Sequence, residues 1–365
     1  MKNIIKITVF TAFLTFISCQ EKEVKEEKGK VESTSSIKEK TGNEGDYLVI
    51  NEDAVSEWDD NDNIDSPAFF KEGDKEFIIA TSKHKNFLQI YDATDLSKVK
   101  KLGKEEGYEF SRPNGIWVID DLALVVERDN QRVQVLTVPD FKSVGFIGEK
   151  ELKKPYGLSV HKTNEGYSLF VTDDYESDDE VAPTNNEILD ERVKEYVFDY
   201  KNGKLTSKHI RSLGETTGKG RLFVVESIFA DPENNVLLIA DESNLNKNIK
   251  VYDLNSGKFV KNIGSGKFIH QAEGIALYDC GNGDGFWFAT DQSKGENTVH
   301  IFERKSMDYV TSFKTKTTQN TDGVWLTQNK FEGHDDGIFI MVHDDGGVSK
   351  FDLIKLFNSL EISCN

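Results

Sequence analysis

The chain has 365 residues, with 64 acidic against 45 basic side chains and a net charge of −19. Binding along a phosphate backbone draws on stripes of Lys and Arg, so this balance excludes nucleic acid as a partner and favours cations. Three cysteines in such a length are too few for a disulfide framework.

At the N-terminus, Lys2 and Lys6 bracket a positive start, and an apolar run from Ile7 to Ile17 leads to Ser18 and Cys19. That run is too short to span a bilayer and reads as an export signal. A small residue directly before a cysteine fits a bacterial lipoprotein signal over residues 1–18, with Cys19 lipidated as the new N-terminus. An ordinary cleaved signal is the alternative. Residues 19–44 carry Lys, Glu, Ser and Gly with almost no apolar side chains, which predicts a flexible charged tether. The expected location is the bacterial cell envelope, on the outer membrane or cell surface, with the lipid anchor as the membrane contact. Residues 45–365 then form the folded domain, expected as a monomer. Cys280 and Cys364 are expected to be free, a single disulfide being the alternative.

Six segments of that domain share one grammar: a small-residue turn opening a short apolar strand, a second apolar strand, and a third rich in β-branched and aromatic residues. They begin at Asp65-Ser66-Pro67, Asn114-Gly115-Ile116, Tyr156-Gly157-Leu158, Glu226-Ser227-Ile228, Glu273-Gly274-Ile275 and Asp322-Gly323-Val324. Their second strands are FIIAT (77–81), LALVVE (122–127), SLFVTD (168–173), VLLIAD (236–241), GFWFATD (285–291) and GIFIMVHD (337–344). Start points step by roughly 40 to 50 residues, apart from an acidic insertion around Asp173 to Glu191. This period, with no helical stretch of any length, predicts an all-β fold, a six-bladed β-propeller. The segment Tyr47 to Val55 is expected to add an outer strand that closes the ring. An irregular β-sandwich is the competing fold.

Equivalent positions of successive blades lie at one height around a propeller axis. Asp65, Asn114, Tyr156, Glu226, Glu273 and Asp322 therefore form one ring. By composition about one of six would be acidic, and four are. Crowded carboxylates repel each other and are costly to bury unpaired, so a cation is expected at the channel mouth. Oxygen-only ligands point to Ca2+ rather than to zinc, which prefers His and Cys. The competing reading is that Asp-Gly and Glu-Gly merely punctuate turns.

A second ring falls at the end of each second strand: Lys83, Arg128, Asp173 or Asp174, Asp241 or Glu242, Asp291 or Gln292, and His343 or Asp344. Lys83, with His84 and Lys85 beside it, and Arg128 interrupt the acids and make an anion pocket suited to phosphate. Alternatively, Lys83 to Lys85 form an exposed loop and Arg128 pairs with Glu127 or Asp129.

At these residues the chain resembles the β-propeller phytases, calcium-dependent phosphatases with six blades. Asp65-Ser66-Pro67-Ala68-Phe69-Phe70 is similar to that family's Asp-Asp-Pro-Ala-Ile-Trp, and Tyr156-Gly157 to its blade-three Tyr-Gly. Glu226 to Asp231, Ala240-Asp241-Glu242, Glu273 to Gln292, Phe302-Glu303-Arg304, Thr321-Asp322-Gly323 and His343-Asp344-Asp345-Gly346 follow its later blades. The resemblance covers about residues 47 to 355. It implies Ca2+ held by Asp65, Glu226, Asp241, Glu242, Glu273 and Asp322. Lys83, Arg128 and Tyr156 would grip substrate phosphates, and these three with Glu226 make up the implied catalytic set. Three departures stand out. Trp117 occupies the place of an Asp, Asp173 and Asp174 that of a Lys, and Trp325 that of another Asp. Fewer cations and more acids make a poorer seat for phytate, a very highly charged anion.

The leading expectation is a calcium-dependent phosphatase acting on phytate or another small phosphorylated compound. A second class is a lactonase-like propeller hydrolase with one divalent ion on Asn114, Glu226 and Asp322. A third is a non-catalytic binding propeller stabilised by calcium. No nucleophile elbow, phosphate-cradling glycine loop or His/Cys metal motif is present.

Overall fold

The computed structural model describes residues 47–175 and 186–364. The chain divides into Met1–Asp46 and Tyr47–Asn365, and the described residues belong to the second unit. The expected signal, the tether to residue 44 and Cys19 lie outside them, as does part of the acidic insertion.

Tyr47–Asn365 is an all-β propeller of six blades whose consecutive strands pair antiparallel and step outward from the axis, blades five and six each taking one further strand from the N-terminal segment. Blade one runs Ile64–Glu72, Lys75–Ser82, Phe87–Asp92 and Lys98–Leu102; blade two starts at Pro113–Ile119, blade three at Pro155–Thr163 and blade four at Val225–Asp231. Blade five starts at Gln271–Gly281 and blade six at Val324–Thr327. Each innermost strand packs on those of its two neighbours, round a closed ring. The second strands are buried on both faces, which is why they read as unbroken apolar runs. The outer strands Lys98–Leu102, Ser143–Ile147 and Phe259–Ile263 are largely exposed. They are short, and Lys or Gly interrupts the apolar residues of each, so none stands out as an apolar run.

Two local devices bring the blades together at the axis. In blades one to five, the pairing of first and second strands skips at the ring residue, leaving a bulge between Ile64 and Pro67, Pro113 and Ile116, Pro155 and Leu158, Val225 and Ile228, and Ala272 and Ile275. A bulge re-aims the side chains it releases from the ladder. The following residue then lies against the next blade's backbone. A Cβ on Gly157 would stand 2.1 Å from the Glu226 carbonyl oxygen, one on Gly274 2.8 Å from that of Asp322, and one on Gly323 2.6 Å from that of Asp65. Backbone bonds cross at these points, from Gly274 N–H to Asp322 C=O (3.1 Å) and from Gly323 N–H to Asp65 C=O (2.9 Å). The glycines thus serve close blade contact rather than turn geometry.

Three residues beyond each ring position the side chains alternate in size: Ala68, Trp117, Ser159, Phe229, Ala276 and Trp325. The axis has room for three large rings, and blades two, four and six supply them. Trp117 packs edge-on against Trp325 (centroids 4.8 Å) and Phe229 (5.3 Å). They line an axial cavity of about 240 Å³ together with first-strand residues of all six blades. The two tryptophans that replace expected carboxylates are therefore partners in one aromatic plug.

The ring closes through the N-terminal segment, as the sequence suggests. Leu48–Ile50 adds a parallel strand to blade five, and Ala54–Val55 forms the outer strand of blade six. Two expectations are corrected. Helix Leu353–Leu360, capped by the Asp352 carboxylate on Lys355 N–H (3.0 Å), buries Leu353, Leu356 and Phe357. Its apolar spacing is too short to stand out in sequence. Cys280 and Cys364 are not free but form a disulfide joining blade five to the residues after that helix. Packing of Phe357 on Tyr278 brings the two cysteines together.

Replacing Cys364 by Ser should lower unfolding stability by about 2–4 kcal/mol, read from denaturant midpoints with and without reductant. Trp117→Ala should cost about 2–4 kcal/mol through loss of the plug, with the wild-type circular dichroism spectrum retained.

Candidate active site

Successive residues at the mouth end of each second strand point opposite ways. The first of each pair ties down the loop before the blade's opening strand. Asp173 accepts from the N–H groups of Lys153 (3.0 Å) and Lys154 (2.6 Å), Asp291 from Ile269 (2.9 Å) and His270 (2.8 Å), and Glu127 from Ser111 (3.3 Å). The second of each pair, Lys83, Arg128, Asp174, Glu242 or Gln292, meets the ring residues. In blade six, Asp344 and Asp345 both have positive φ (46° and 55°). That turn brings Asp345 rather than His343 or Asp344 near Asp322, whose carboxyl its charge helps to raise.

Asp241 belongs to the loop-tying set, which corrects its expected place among the metal ligands. Its oxygens accept from Phe223 N–H (3.1 Å), Ser243 N–H (3.2 Å) and the Asn246 amide (2.7 Å). Strand alternation sends Glu242 to the axis in its stead.

Two groups of side chains occupy the mouth. In the first, one carboxylate oxygen from each of Glu226, Glu242 and Glu273 lies within 4.8 Å of the others. Burial and the neighbouring acids push all three carboxyls well above the usual range. Glu242 Oε1 and both polar atoms of the Asn114 amide are buried with no hydrogen-bond partner. Hard oxygen donors crowded this closely, some left unsatisfied, fit a divalent cation.

In the second group, Lys83 Nζ bridges Asp65 Oδ2 (2.8 Å) and Asp322 Oδ2 (3.1 Å) and stands 3.4 Å from the Tyr156 hydroxyl. Burial works against the ammonium, but Asp322 and Asp65 outweigh it and raise its pKa well above normal. Burial pushes Asp322 up to about 7 although Lys83 opposes the shift. Tyr156, with its hydroxyl 3.4 Å from Asp65 Oδ2, stays a neutral phenol, because burial and the charges of Asp65 and Glu226 raise its pKa well above normal. Asp322 also accepts from the Gln292 amide.

Asp65, Lys83, Tyr156, Glu226, Glu242, Glu273 and Asp322 are thus brought together as the repeat alignment predicts. Arg128 is at the rim, its guanidinium 6.0 Å from the Tyr156 ring centre. It does not pair with Glu127, which takes Arg132 instead (2.9 Å). Of the lactonase-like set of Asn114, Glu226 and Asp322, Asp322 is engaged with Lys83 and Gln292.

The acidic pair Asp173-Asp174 is less disruptive than its sequence implies. Asp173 faces the Lys153–Lys154 backbone, and Asp174 pairs with the fully buried Arg192 (3.1 Å). Arg192, distant in sequence beyond the insertion, supplies a cation where one had been lost from the strand end. Sequence reasoning missed Arg192 and Asp345. Arg192 follows an insertion that breaks the repeat, and Asp345 is one residue out of register.

The family model described as Phytase matches residues 157–340, just over half of the chain. Among solved structures, a chain of Kuenenia stuttgartiensis hydrazine synthase is similar at 13% identity, covering 88% of this chain and 83% of that one with a TM-score of 0.49. A chain of a nidogen/laminin complex is similar at 12% identity, covering 79% of this chain and 89% of that one with a TM-score of 0.48. No curated protein matches. With the match spanning blades three to six and the mouth assembled from the residues it shares with blades one and two, the chain belongs to the phytase family of β-propeller hydrolases.

Proposed function

We propose that the protein is a calcium-dependent phosphomonoester hydrolase acting on a small phosphorylated compound at the channel mouth. The observation that carries this reading is the convergence of Glu226, Glu242 and Glu273 beside the Lys83, Arg128 and Tyr156 edge. Glu226, Glu242 and Glu273 would hold the cation, with Asp65, Asp322, Asp345 and the Asn114 amide within the same mouth. Bound there, calcium would supply charge neutralisation for phosphoryl oxygens and a more acidic water. Catalysis of phosphoryl transfer rests mainly on positioning and electrostatics, so the chain's own part is to orient the ester. The Tyr156 phenol keeps its proton for a phosphate oxygen, and Arg128 offers a planar fork for two. Glu226 is the member of the trio whose charge reaches both Lys83 and Tyr156. Once a bound cation keeps it ionised, Glu226 would be the carboxylate to accept a proton from an attacking water.

Because Asp173 turns to the Lys153–Lys154 backbone and Asp174 is paired with Arg192, the mouth is less hostile to multiply charged phosphates than the sequence implies. We read the domain as working at an envelope surface, tethered through Cys19.

Purified protein should release phosphate from phytate or from simple monoesters with calcium and lose that release in chelator. Glu273→Gln should lower turnover by about a hundredfold. A folded wild type that releases no phosphate under any metal condition would sink the proposal.

Stability should carry the same signature. Raised carboxyls keep their protons in the fold at a pH where the unfolded chain has lost them. Their contribution is therefore present below the ordinary carboxylate range and lost as pH climbs through about 7, the value for Asp322. In chelator the melting temperature should fall between about pH 5 and 8, and calcium should restore it most at the upper end. A melting point unmoved by calcium at the upper pH would count against a cation in this cluster.

A further inference from the structure

We propose that Arg112 is a further phosphate-binding residue, which with Arg128 forms a two-guanidinium seat for the phosphoryl group on the rim of the mouth. The seat rests on the hydrolase reading only for its substrate; phosphate binding itself is separable.

The first observation is a backbone conformation that arginine has no reason to adopt. Arg112 has φ +48°, in the left-handed region that side chains other than Gly, Asn and Asp avoid. It also precedes Pro113, whose ring disfavours helical-type conformations in the residue before it. The equivalent position, two before the ring residue, has the same φ in blade one (+47°) and blade six (+46°). Those blades use Asn63 and Asn320, the residue type that tolerates it best. Blade two alone of the three keeps a long cationic side chain there. Strained backbone retained beside a site points to a role for the side chain.

The second observation is that the guanidinium is left without a carboxylate. In a chain of net charge −19, Arg132, Arg192, Arg211 and Arg304 each pair with an acid. Among the described residues, Arg112, Arg128 and Arg221 make no ion pair; Arg221 Nε donates to the Gly218 carbonyl (3.2 Å), whereas Arg112 Nε is buried with no hydrogen-bond partner. Guanidinium groups held half-buried and unpaired in an acidic protein are preset for an incoming anion.

Placement supplies the third observation. Arg128 N–H donates to the Arg112 carbonyl (3.1 Å), so the two residues share one stretch of rim, fixed by the Asn86 side chain accepting from Arg112 N–H (2.7 Å). Asn86 lies in the turn that begins at Lys83, so its bond to Arg112 N–H holds Arg112 at the Lys83 end of the mouth. Lys83, the cation the sequence offers first, has its ammonium committed to Asp65 and Asp322. Arg112 and Arg128 are left free to take a phosphate.

The test uses Arg112→Asn, which removes the charge while supplying the residue that blades one and six place on this backbone. Its melting temperature should equal or exceed that of the wild type. Inorganic phosphate, titrated calorimetrically into the full-length protein at submillimolar calcium, should bind the variant about tenfold more weakly, and Arg112→Lys should recover part of the loss. On monoester substrates the variant should show a raised KM and raised inhibition constant for phosphate with kcat little changed. Equal phosphate affinity in wild type and Arg112→Asn, or no phosphate binding by the wild type, overturns the seat. If the wild type hydrolyses esters and the variant matches it, the seat falls and the hydrolase reading stands. If phosphate binding depends on Arg112 but no ester is cleaved, the seat stands and the hydrolase reading falls.

Discussion

The close approach of the six innermost strands is the constraint from which the rest of this molecule follows. Each strand must come so near its neighbour that Gly157, Gly274 and Gly323 leave no room for a Cβ against the next blade's carbonyl. In blades one to five a bulge at this point releases the ring side chain from the strand ladder and sends it to the mouth. Close packing below the ring and a convergent cluster at it are thus two results of one backbone event. Below the ring, size alternation lets three aromatic side chains fill the axis. Above it, the same crowding forces carboxylates together.

That enforced proximity gives the mouth its chemistry. Like charges held within a few ångströms in a buried site raise one another's pKa and leave oxygen atoms in want of a partner. A rigid ring cannot relax by moving its acids apart, since each rides on a strand locked to two others. Lys83 relieves one side of the problem by bridging Asp65 and Asp322. Glu226, Glu242 and Glu273 have no ammonium among them, and this asymmetry separates a cation-seeking half of the mouth from a half with arginines. Substrates carrying phosphate suit such a divided surface, because their oxygens can face both halves at once.

The departures from the resembled family also obey packing logic. Trp117 and Trp325 lie in blades two and six, yet they touch, so two lost carboxylates become one aromatic contact. The cation missing from the strand end of blade three reappears as Arg192, fully buried and bonded to Asp174. In each case a change at one position has its counterpart at another that is near in space and far in sequence.

The sequence by itself determined the blade count, the order of strands and the membership of the ring. These follow from local signals: apolar runs for strands buried on both faces, small residues where backbones meet, and a period long enough to hold one sheet. Asp65, Glu226, Glu273 and Asp322 were legible because equivalent positions in a repeat must share one height. What only the tertiary structure decided was which of two adjacent residues faces the axis. Asp241 and Glu242 are equally acidic, and a strand's alternation is fixed by its partners across the bulge rather than by its own composition. The disulfide Cys280–Cys364, the roles of Asp345 and Arg192, and the unpaired state of Arg112 likewise depend on which separate segments of the chain come together. Charge pairing is a property of neighbours in space, and a linear chain carries no record of who they are.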